Sequence, residues 1–349
     1  MNTAANLTTL VVMFGGQSAE HDVSCVTAAH VIQAAHPSRY RTVAIGIDKL
    51  GQWHHVKVGA SVDKLVAEGP DASPTDILSL TSQGTVVVVP LIHGPLGEDG
   101  TMQGLLEVLG LPYVGSGVLA SAIAMDKGIA KALFSQADIP QARHCVLRDD
   151  HVSPARLKDI ASDFGYPLFI KPANMGSSVG VTKAHNFAEL EHAVMIAASY
   201  DEWIVIEEFI SGREIEVAVI GNREPRASLP GEITPGKDFY DYEDKYLSDN
   251  ATLIIPARLS NTETEQIRML AIRAYETLHC EGMARVDFFY EENGRGLLCN
   301  EINTIPGFTP ISMYPKMWEA SGLSYSSLID ELVELAQERH NRRKRNTSL

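Results

Sequence analysis

The sequence predicts an α/β fold, opening with a parallel-sheet module and followed by two modules of α+β character. Two observations carry this. The apolar runs 7–14 and 86–92 each stop at a polar or glycine-containing loop and lead into helix-spaced apolar residues, the pattern of strands joined by crossover helices. From about residue 116 the pattern changes to short strands, helices and long polar loops, ending in a hairpin and an amphipathic stretch over 324–337. Boundaries near 115 and 210 give an N-terminal module 1–115, a central module 116–210 and a C-terminal module 211–349.

In the first module, Gly15 and Gly16 break the opening strand, and Ser18 is placed to cap a helix carrying Val23, Val26, Ala29 and His30. The second apolar run ends at the loop 93–100, ahead of a helix through Leu105, Leu106 and Leu109. Loops at the C-terminal ends of parallel strands are common ligand sites, which marks 15–20 and 93–100. In the central module a lysine-bearing helix over 125–134 precedes a strand at 168–172 and a loop of small residues, 173–180. A helix at 187–198 and a strand at 203–206 follow. Beyond them lie alternating strands, a polar loop, a helix near 264–278 and the hairpin 283–303.

The 349 residues, 45% of them hydrophobic, can bury a sizeable core. A net charge of −15 repels phosphate backbones, so nucleic acid is excluded as a general partner. The one basic cluster, Arg339, Arg342, Arg343, Lys344 and Arg345, reads as a solvated helix end. Cys25, Cys145, Cys280 and Cys299 lie far apart and read as buried thiols of a reducing compartment. No apolar run approaches membrane-spanning length, so a soluble cytoplasmic protein is expected.

One tempting motif fails. Gly231-Glu-Ile-Thr-Pro-Gly-Lys237 has P-loop spacing, but Asp238 stands where a magnesium-binding hydroxyl belongs, and the flanking strand and helix are missing. The segment Lys171-Pro-Ala-Asn-Met-Gly-Ser-Ser-Val-Gly180 is more informative: a strand delivers a lysine beside a flexible loop whose N–H groups can wrap phosphate oxygens. Alone it would read as a surface turn. Glu207-Glu-Phe-Ile210 ends a strand between modules, where carboxylate and apolar groups suit a purine.

The hairpin carries the sharpest expectation. Side chains alternate along a strand, so Arg285 shares a face with Asp287, and Glu301 with Asn303. A hairpin axis at Gly294 sets Asp287 opposite Glu301 and Arg285 opposite Asn303; a one-residue slip scatters them. Oxygen ligands without His or Cys suit magnesium, and an arginine beside them suits a transferring phosphoryl or an oxyanion. A salt-bridged surface hairpin is the competing reading, against which the tight loop 303–307 weighs.

Together these segments, with Gly15-Gly-Gln-Ser-Ala-Glu20, His93-Gly-Pro-Leu-Gly-Glu-Asp-Gly100, Met125-Asp-Lys127 and the stretches 240–249 and 300–315, resemble the D-alanine–D-alanine ligases of the ATP-grasp superfamily. The resemblance runs nearly the whole chain and implies a three-domain ATP-grasp architecture. It implies ATP held by Lys127, Lys171 and Lys245, with adenine and ribose at Glu207, Phe209, Ile210 and Glu214. Asp287, Glu301 and Asn303 would hold two Mg2+ ions, Mn2+ being a substitute. Glu20 and His93 would line the first D-alanine pocket, and Ser312 with the Met313 N–H would take the second carboxylate. Arg285 and the Gly307 N–H would hold the oxyanion, and Tyr246 would link the lid 237–250 to Ser177 and Glu20.

Relatives that make D-alanyl-D-lactate typically carry His or Phe at the tyrosine position, so Tyr246 favours the dipeptide. The implied activity is ADP-forming ligation of two D-alanines for peptidoglycan precursors, by a homodimer. The rivals are an ATP-grasp ligase with a D-lactate or D-serine acceptor, and a non-catalytic nucleotide-binding regulator.

Overall fold

The computed structural model describes residues 7–59, 63–69, 71–75, 77–78, 84–234 and 252–343. Lys245, Tyr246 and the lid 237–250 lie outside these residues, as do Lys344 and Arg345 of the basic tail. Among the described residues three sheets are built, each from its own stretch of sequence.

The first contains β1 (Thr8–Gly15), β2 (Tyr40–Ile47), β3 (Trp53–Val56), β4 (Ala72–Pro74) and β5 (Val86–Pro90), ordered β4-β3-β2-β1-β5. Its centre is parallel, β1 pairing with both β2 and β5. On one side β3 pairs antiparallel with β2 and the edge strand β4 antiparallel with β3, so the sheet is mixed. α1 (His21–Ala34) follows β1, and α2 (Thr101–Val108) follows the β5 loop. Ser18 does not cap α1. The cap position falls to Glu20, without a side-chain cap bond, and the Ser18 hydroxyl accepts from the Glu20 N–H at 3.2 Å. The glycine turn consumes the extra residues.

The expected helix over 125–134 is two helices, α3 (Val118–Met125) and α4 (Lys127–Gln136). Asp126 breaks them: its extended backbone ends α3, while its carboxylate accepts from the Ile129 N–H at 2.9 Å and caps α4. Lys127 thereby becomes the first residue of a helix. The second sheet is fully antiparallel, with β6 (His144–Arg148), β7 (Leu168–Pro172), β8 (Thr182–Ala184) and β9 (Trp203–Glu208) in the order β6-β9-β7-β8. α5 (Pro154–Phe164) and α6 (Phe187–Ala198) close one face over Leu157, Ile160, Leu190 and Val194.

The third sheet runs β13-β12-β10-β14-β15, comprising β10 (Arg213–Gly221), β12 (Gly231–Thr234), β13 (Thr252–Ile254), β14 (Gly282–Glu291) and β15 (Gly296–Asn303); β11 (Arg226–Ala227) pairs with β10. α7 (Asn261–Thr277), started by a Ser260–Glu263 capping box, packs on one face with α3 and α4. On the other face α8 (Met313–Ala320) and α9 (Tyr325–Arg342) share one core with α1, β1 and β5. Tyr314, Met317, Leu328 and Leu332 are buried there beside Leu10, Val87 and Val31. Each such side chain contributes roughly 1.5–3 kcal/mol, so the first and third sheets are held by a common apolar layer.

The basic tail is not simply a solvated end. Arg339 is buried, donates to Tyr113 O at 2.9 Å and to Gly115 O, and stacks over the Tyr113 ring. Arg342 and Arg343 pair with Glu281. The register of α9 turns Arg339 inward with Leu332 and Ala336, where two backbone carbonyls would otherwise lack partners.

Candidate functional site

The site is built on strands β10, β14 and β15 of the third sheet, the loops of the first sheet and the facing strands of the second sheet. β14 pairs with β15 so that Asp287 lies opposite Glu301 and Arg285 opposite Asn303, as the alternation argument requires. The reason differs from a simple axis at Gly294. Near the turn Glu291 pairs with Gly296 and Phe288 with Cys299, a register one residue out. A bulge between Asp287 and Phe288 absorbs Asn300 and corrects the phase. Without it, Glu301 would face Val286 and the core.

Arg285 donates from Nε and Nη2 to the two oxygens of Asp287, at 2.7 and 2.6 Å. A second carboxylate, Glu216 on β10, lies 3.1 Å from the same Nε. Burial opposes the Arg285 charge, but Asp287 and Glu216 outweigh it and raise its pKa well above the ordinary value. The Asn303 amide nitrogen donates to Asp287 Oδ2 at 2.9 Å, leaving its oxygen as a ligand atom. Among the described residues no group of three or more His, Cys, Asp or Glu is placed to hold a metal. Two carboxylates and an amide oxygen make an all-oxygen donor set that fits a hard divalent cation sharing its shell with phosphate or water. A cation here would compete with Arg285 for Asp287.

Facing this hairpin, β7 presents Lys171 and β9 presents Glu207. The Glu207 carboxylate lies between two ammonium groups, Lys171 Nζ and Lys131 Nζ, each at 2.5 Å. Burial raises the Glu207 pKa, yet the two lysines overcome this and hold it far below the carboxylate range. Burial likewise disfavours charged Lys171, but Glu207, Glu301 and Glu214 raise its pKa above the ordinary value. Glu301 thus links the hairpin electrostatically to the lysine on the other sheet. Lys127 donates from Nζ to Met175 O at 2.6 Å, and its N–H bonds to Ala173 O, so the head of α4 grips the 173–180 loop. In that loop Ser177 and Ser178 adopt positive φ, +50° and +59°, turning successive peptides inward.

Phe209 stacks on Phe169, centroids 6.1 Å apart, and its N–H is committed to Pro167 O. Ile210 is buried against Ala142 and Leu298. Glu214 sits on β10 opposite Phe289.

Loops of the first sheet complete the enclosure. Glu20 and His93 are both buried. The Glu20 Oε2 atom lies 3.5 Å from where a Cβ on Gly176 would stand, so the 173–180 loop lies directly against Glu20. His93 Nδ1 is 3.1 Å from Ile305 O, and Nε2 is buried with no hydrogen-bond partner among the described residues. Burial works against protonating His93, but Glu98 and Glu20 outweigh it and raise its pKa. Glu98 accepts from the Gly94 N–H at 2.7 Å. Gly307 lies beside Ser312, whose hydroxyl accepts from the Thr309 N–H at 3.1 Å. Ser312 is the N-cap residue of α8 and Met313 the first helical residue, whose N–H has no intrahelical carbonyl.

Sequence reasoning missed Lys131, Glu216 and Glu98. Two signals were available: Lys127 and Lys131 are like charges one helical turn apart, unfavourable unless partnered, and Glu216 shares the period-two face of Glu214.

The arrangement is of the ATP-grasp class, two antiparallel sheets closing on lysines from one and carboxylates from the other. Residues 9–116 match the family model for the D-ala D-ala ligase N-terminus, and residues 133–334 that for the D-ala D-ala ligase C-terminus. The chain belongs to the D-alanine–D-alanine ligase family. It is 46% identical to the D-alanine–D-alanine ligase of Clostridium acetobutylicum over 340 residues, covering 95% of this chain and 98% of that one. The D-alanine–D-alanine ligase A of Salmonella typhimurium is 44% identical, with 94% and 95% covered. Among solved structures, the D-alanine–D-alanine ligase from Coxiella burnetii superimposes with TM-score 0.86 at 38% identity, covering 97% of each chain. The VanG D-Ala:D-Ser ligase from Enterococcus faecalis gives 0.84 at 34%, covering 95% and 99%.

Proposed function

We propose that this chain uses ATP to join two D-alanines into D-alanyl-D-alanine, releasing ADP and phosphate, in the cytoplasmic synthesis of peptidoglycan precursors. The observation that carries the reading is the bulge-set register of β14 and β15, which gathers Arg285, Asp287, Glu301 and Asn303 opposite Lys171. Family membership supports the substrate class.

In this reading Lys127, Lys171 and the 173–180 loop hold the ATP phosphates, with Lys245 closing from the lid. Phe209, Ile210 and Glu214 take adenine and ribose. Glu207 stands at the same pocket, and its two lysine partners support an electrostatic role besides any contact with the base. Asp287, Glu301 and Asn303 would hold two Mg2+ ions, or Mn2+ in their place. Bound there, the ions would neutralise phosphate charge.

A carboxylate is a poor electrophile, because its charge repels an amine and oxide does not leave. A carboxylate oxygen of the first D-alanine attacks the γ-phosphorus; the bond from phosphorus to the β–γ bridging oxygen breaks, giving an acyl phosphate and ADP. Glu20 takes this substrate's ammonium, with His93 and Ser177 beside it and Tyr246 bridging from the lid. The second D-alanine's carboxylate meets Ser312 and the Met313 N–H, at a helix start suited to an anion. Its amine then adds to the acyl carbon. Arg285 and the Gly307 N–H stabilise the oxyanion, phosphate leaves with the bonding electrons, and the amine loses a proton. Closure over the site excludes the water that would hydrolyse the acyl phosphate.

The same reading gives three domains, 1–115, 116–210 and 211–349, and a twofold dimer. Sedimentation reads the dimer as twice the chain mass.

The deciding experiment follows ADP and phosphate release with ATP, Mg2+ and D-alanine, against L-alanine. Turnover with D-alanine alone, yielding the dipeptide, is expected. A strong preference for D-lactate or D-serine as second substrate would move the acceptor. Nucleotide binding without turnover in any amino-acid mixture would leave a regulator.

A further inference from the structure

We infer that Lys131, which is buried beneath the sheet, is a positioning residue for Lys171: by pairing with the second oxygen of Glu207 it keeps that carboxylate from neutralising the charge Lys171 presents to ATP phosphates. The inference rests on reading this face as the ATP site. Lys131 lies on α4, one turn beyond Lys127, and is 1% exposed. Among the described residues its ammonium pairs with Glu207 Oε1, while Lys171 takes Oε2 and keeps a side-chain exposure of 12%. The other titratable groups sensing Lys131 are His144 and the Cys299 thiol.

Charge counting gives the reason for the third member. A Lys171–Glu207 pair alone is neutral, and Lys171 also feels Glu214 and Glu301. Such a lysine would be drawn onto its glutamate and would attract phosphate weakly. With Lys131 on the other oxygen, the contact triad carries one net positive charge, and Glu207 fixes Lys171 without neutralising it. Stability alone does not explain the arrangement. Three buried charges are expensive, and apolar residues of similar volume commonly do as well or better. Lys131 therefore acts through Glu207 from beneath the sheet, while Lys127 grips the loop and Lys171 carries the charge at the site.

The test is calorimetric titration of the full chain with MgATP in the absence of amino acids, alongside KM for ATP and for D-alanine. Lys131→Met should weaken ATP binding by about tenfold, the scale of one charge acting at short range in a partly screened site, with KM for D-alanine unchanged. In a Glu207→Gln background, where the competing carboxylate is gone, the same substitution should cost less than about threefold. An equal cost in both backgrounds overturns the inference, as does unaltered ATP binding by Lys131→Met. If Lys131→Met fails to fold, as judged by circular dichroism, Lys131→Gln is compared in the same two backgrounds, and the same outcomes support or overturn the inference. Absence of ATP binding by the unaltered chain would overturn the nucleotide reading, and this inference with it. Binding by the unaltered chain with no Lys131 effect overturns this inference alone.

Discussion

Asp287 lies directly across the β14–β15 ladder from Glu301, although the turn joining the two strands is set one residue out of that pairing. The Asn300 bulge makes up the difference, so Arg285, Asp287, Glu301 and Asn303 share one face. The cluster depends on one irregular residue in an otherwise regular hairpin.

Arg285 is bound by Asp287 and Glu216 and faces the proposed oxyanion. Arg285→Ala should lower kcat by about a hundredfold or more, the usual scale for losing an oxyanion partner. Steady-state kinetics checks this, and a loss below about tenfold would remove the arginine from that role.

Glu216 touches Arg285 from the neighbouring strand and acts through it. Glu216→Gln should reduce kcat by about tenfold with little change in KM for ATP, and should add nothing in an Arg285→Ala background. Additive losses in the double variant would mean that Glu216 acts independently.

Chelation should abolish turnover, and added Mg2+ should restore it. Asp287→Asn or Glu301→Gln should raise the Mg2+ concentration for half-maximal rate by about tenfold or more. The variants should approach each other at high Mg2+. An unchanged Mg2+ requirement would place the cation elsewhere.

Glu207 titrates well below the unfolded value of 4.5, since Lys131 and Lys171 outweigh the opposing effect of burial. Its folded pKa is depressed, so its contribution to stability is present above about pH 4.5 and lost as pH falls through the folded value. Denaturant titrations of the wild type and Glu207→Gln should differ by a constant amount between pH 6 and 8. The gap should shrink below pH 4.5; a gap constant down to pH 3 would mean that Glu207 is not held ionised.

Arg339→Met should leave the Tyr113 and Gly115 carbonyls without their donor and destabilise the fold by about 2–4 kcal/mol. Urea unfolding measures this. Turnover at low temperature should change little, because the contacts of Arg339 are with Tyr113 and Gly115 and not with the proposed reacting groups.

Much of the site was legible because strand alternation is a parity rule. Once Arg285, Asp287, Glu301 and Asn303 fall on one face, the donor set follows from residue type. The Asn300 bulge was not legible, since hydrophobic pattern does not report the phase of the turn. Nor was Lys131. Nothing local separates a lysine buried against a glutamate 76 residues away from one in solvent, except its like-charged neighbour Lys127. Arg339 was misread for a similar reason: a basic run suggests water, whereas helix register points one of its members inward. Asp126 looked like a helix residue because composition favoured continuity, while its carboxylate serves better as a cap.

The bond from His93 to Ile305 spans 212 residues of chain. His93 sits on the first sheet's loop, and Ile305 heads the segment that carries Gly307 and Ser312. During synthesis the ribosome must release the 212 residues that follow His93 before these two meet, although the first sheet can already have folded. A nascent or truncated chain can therefore acquire a lysine-rich nucleotide cleft without a completed amino-acid pocket. Catalytic competence would arrive late, only once the segment carrying Ile305, Gly307 and Ser312 has emerged.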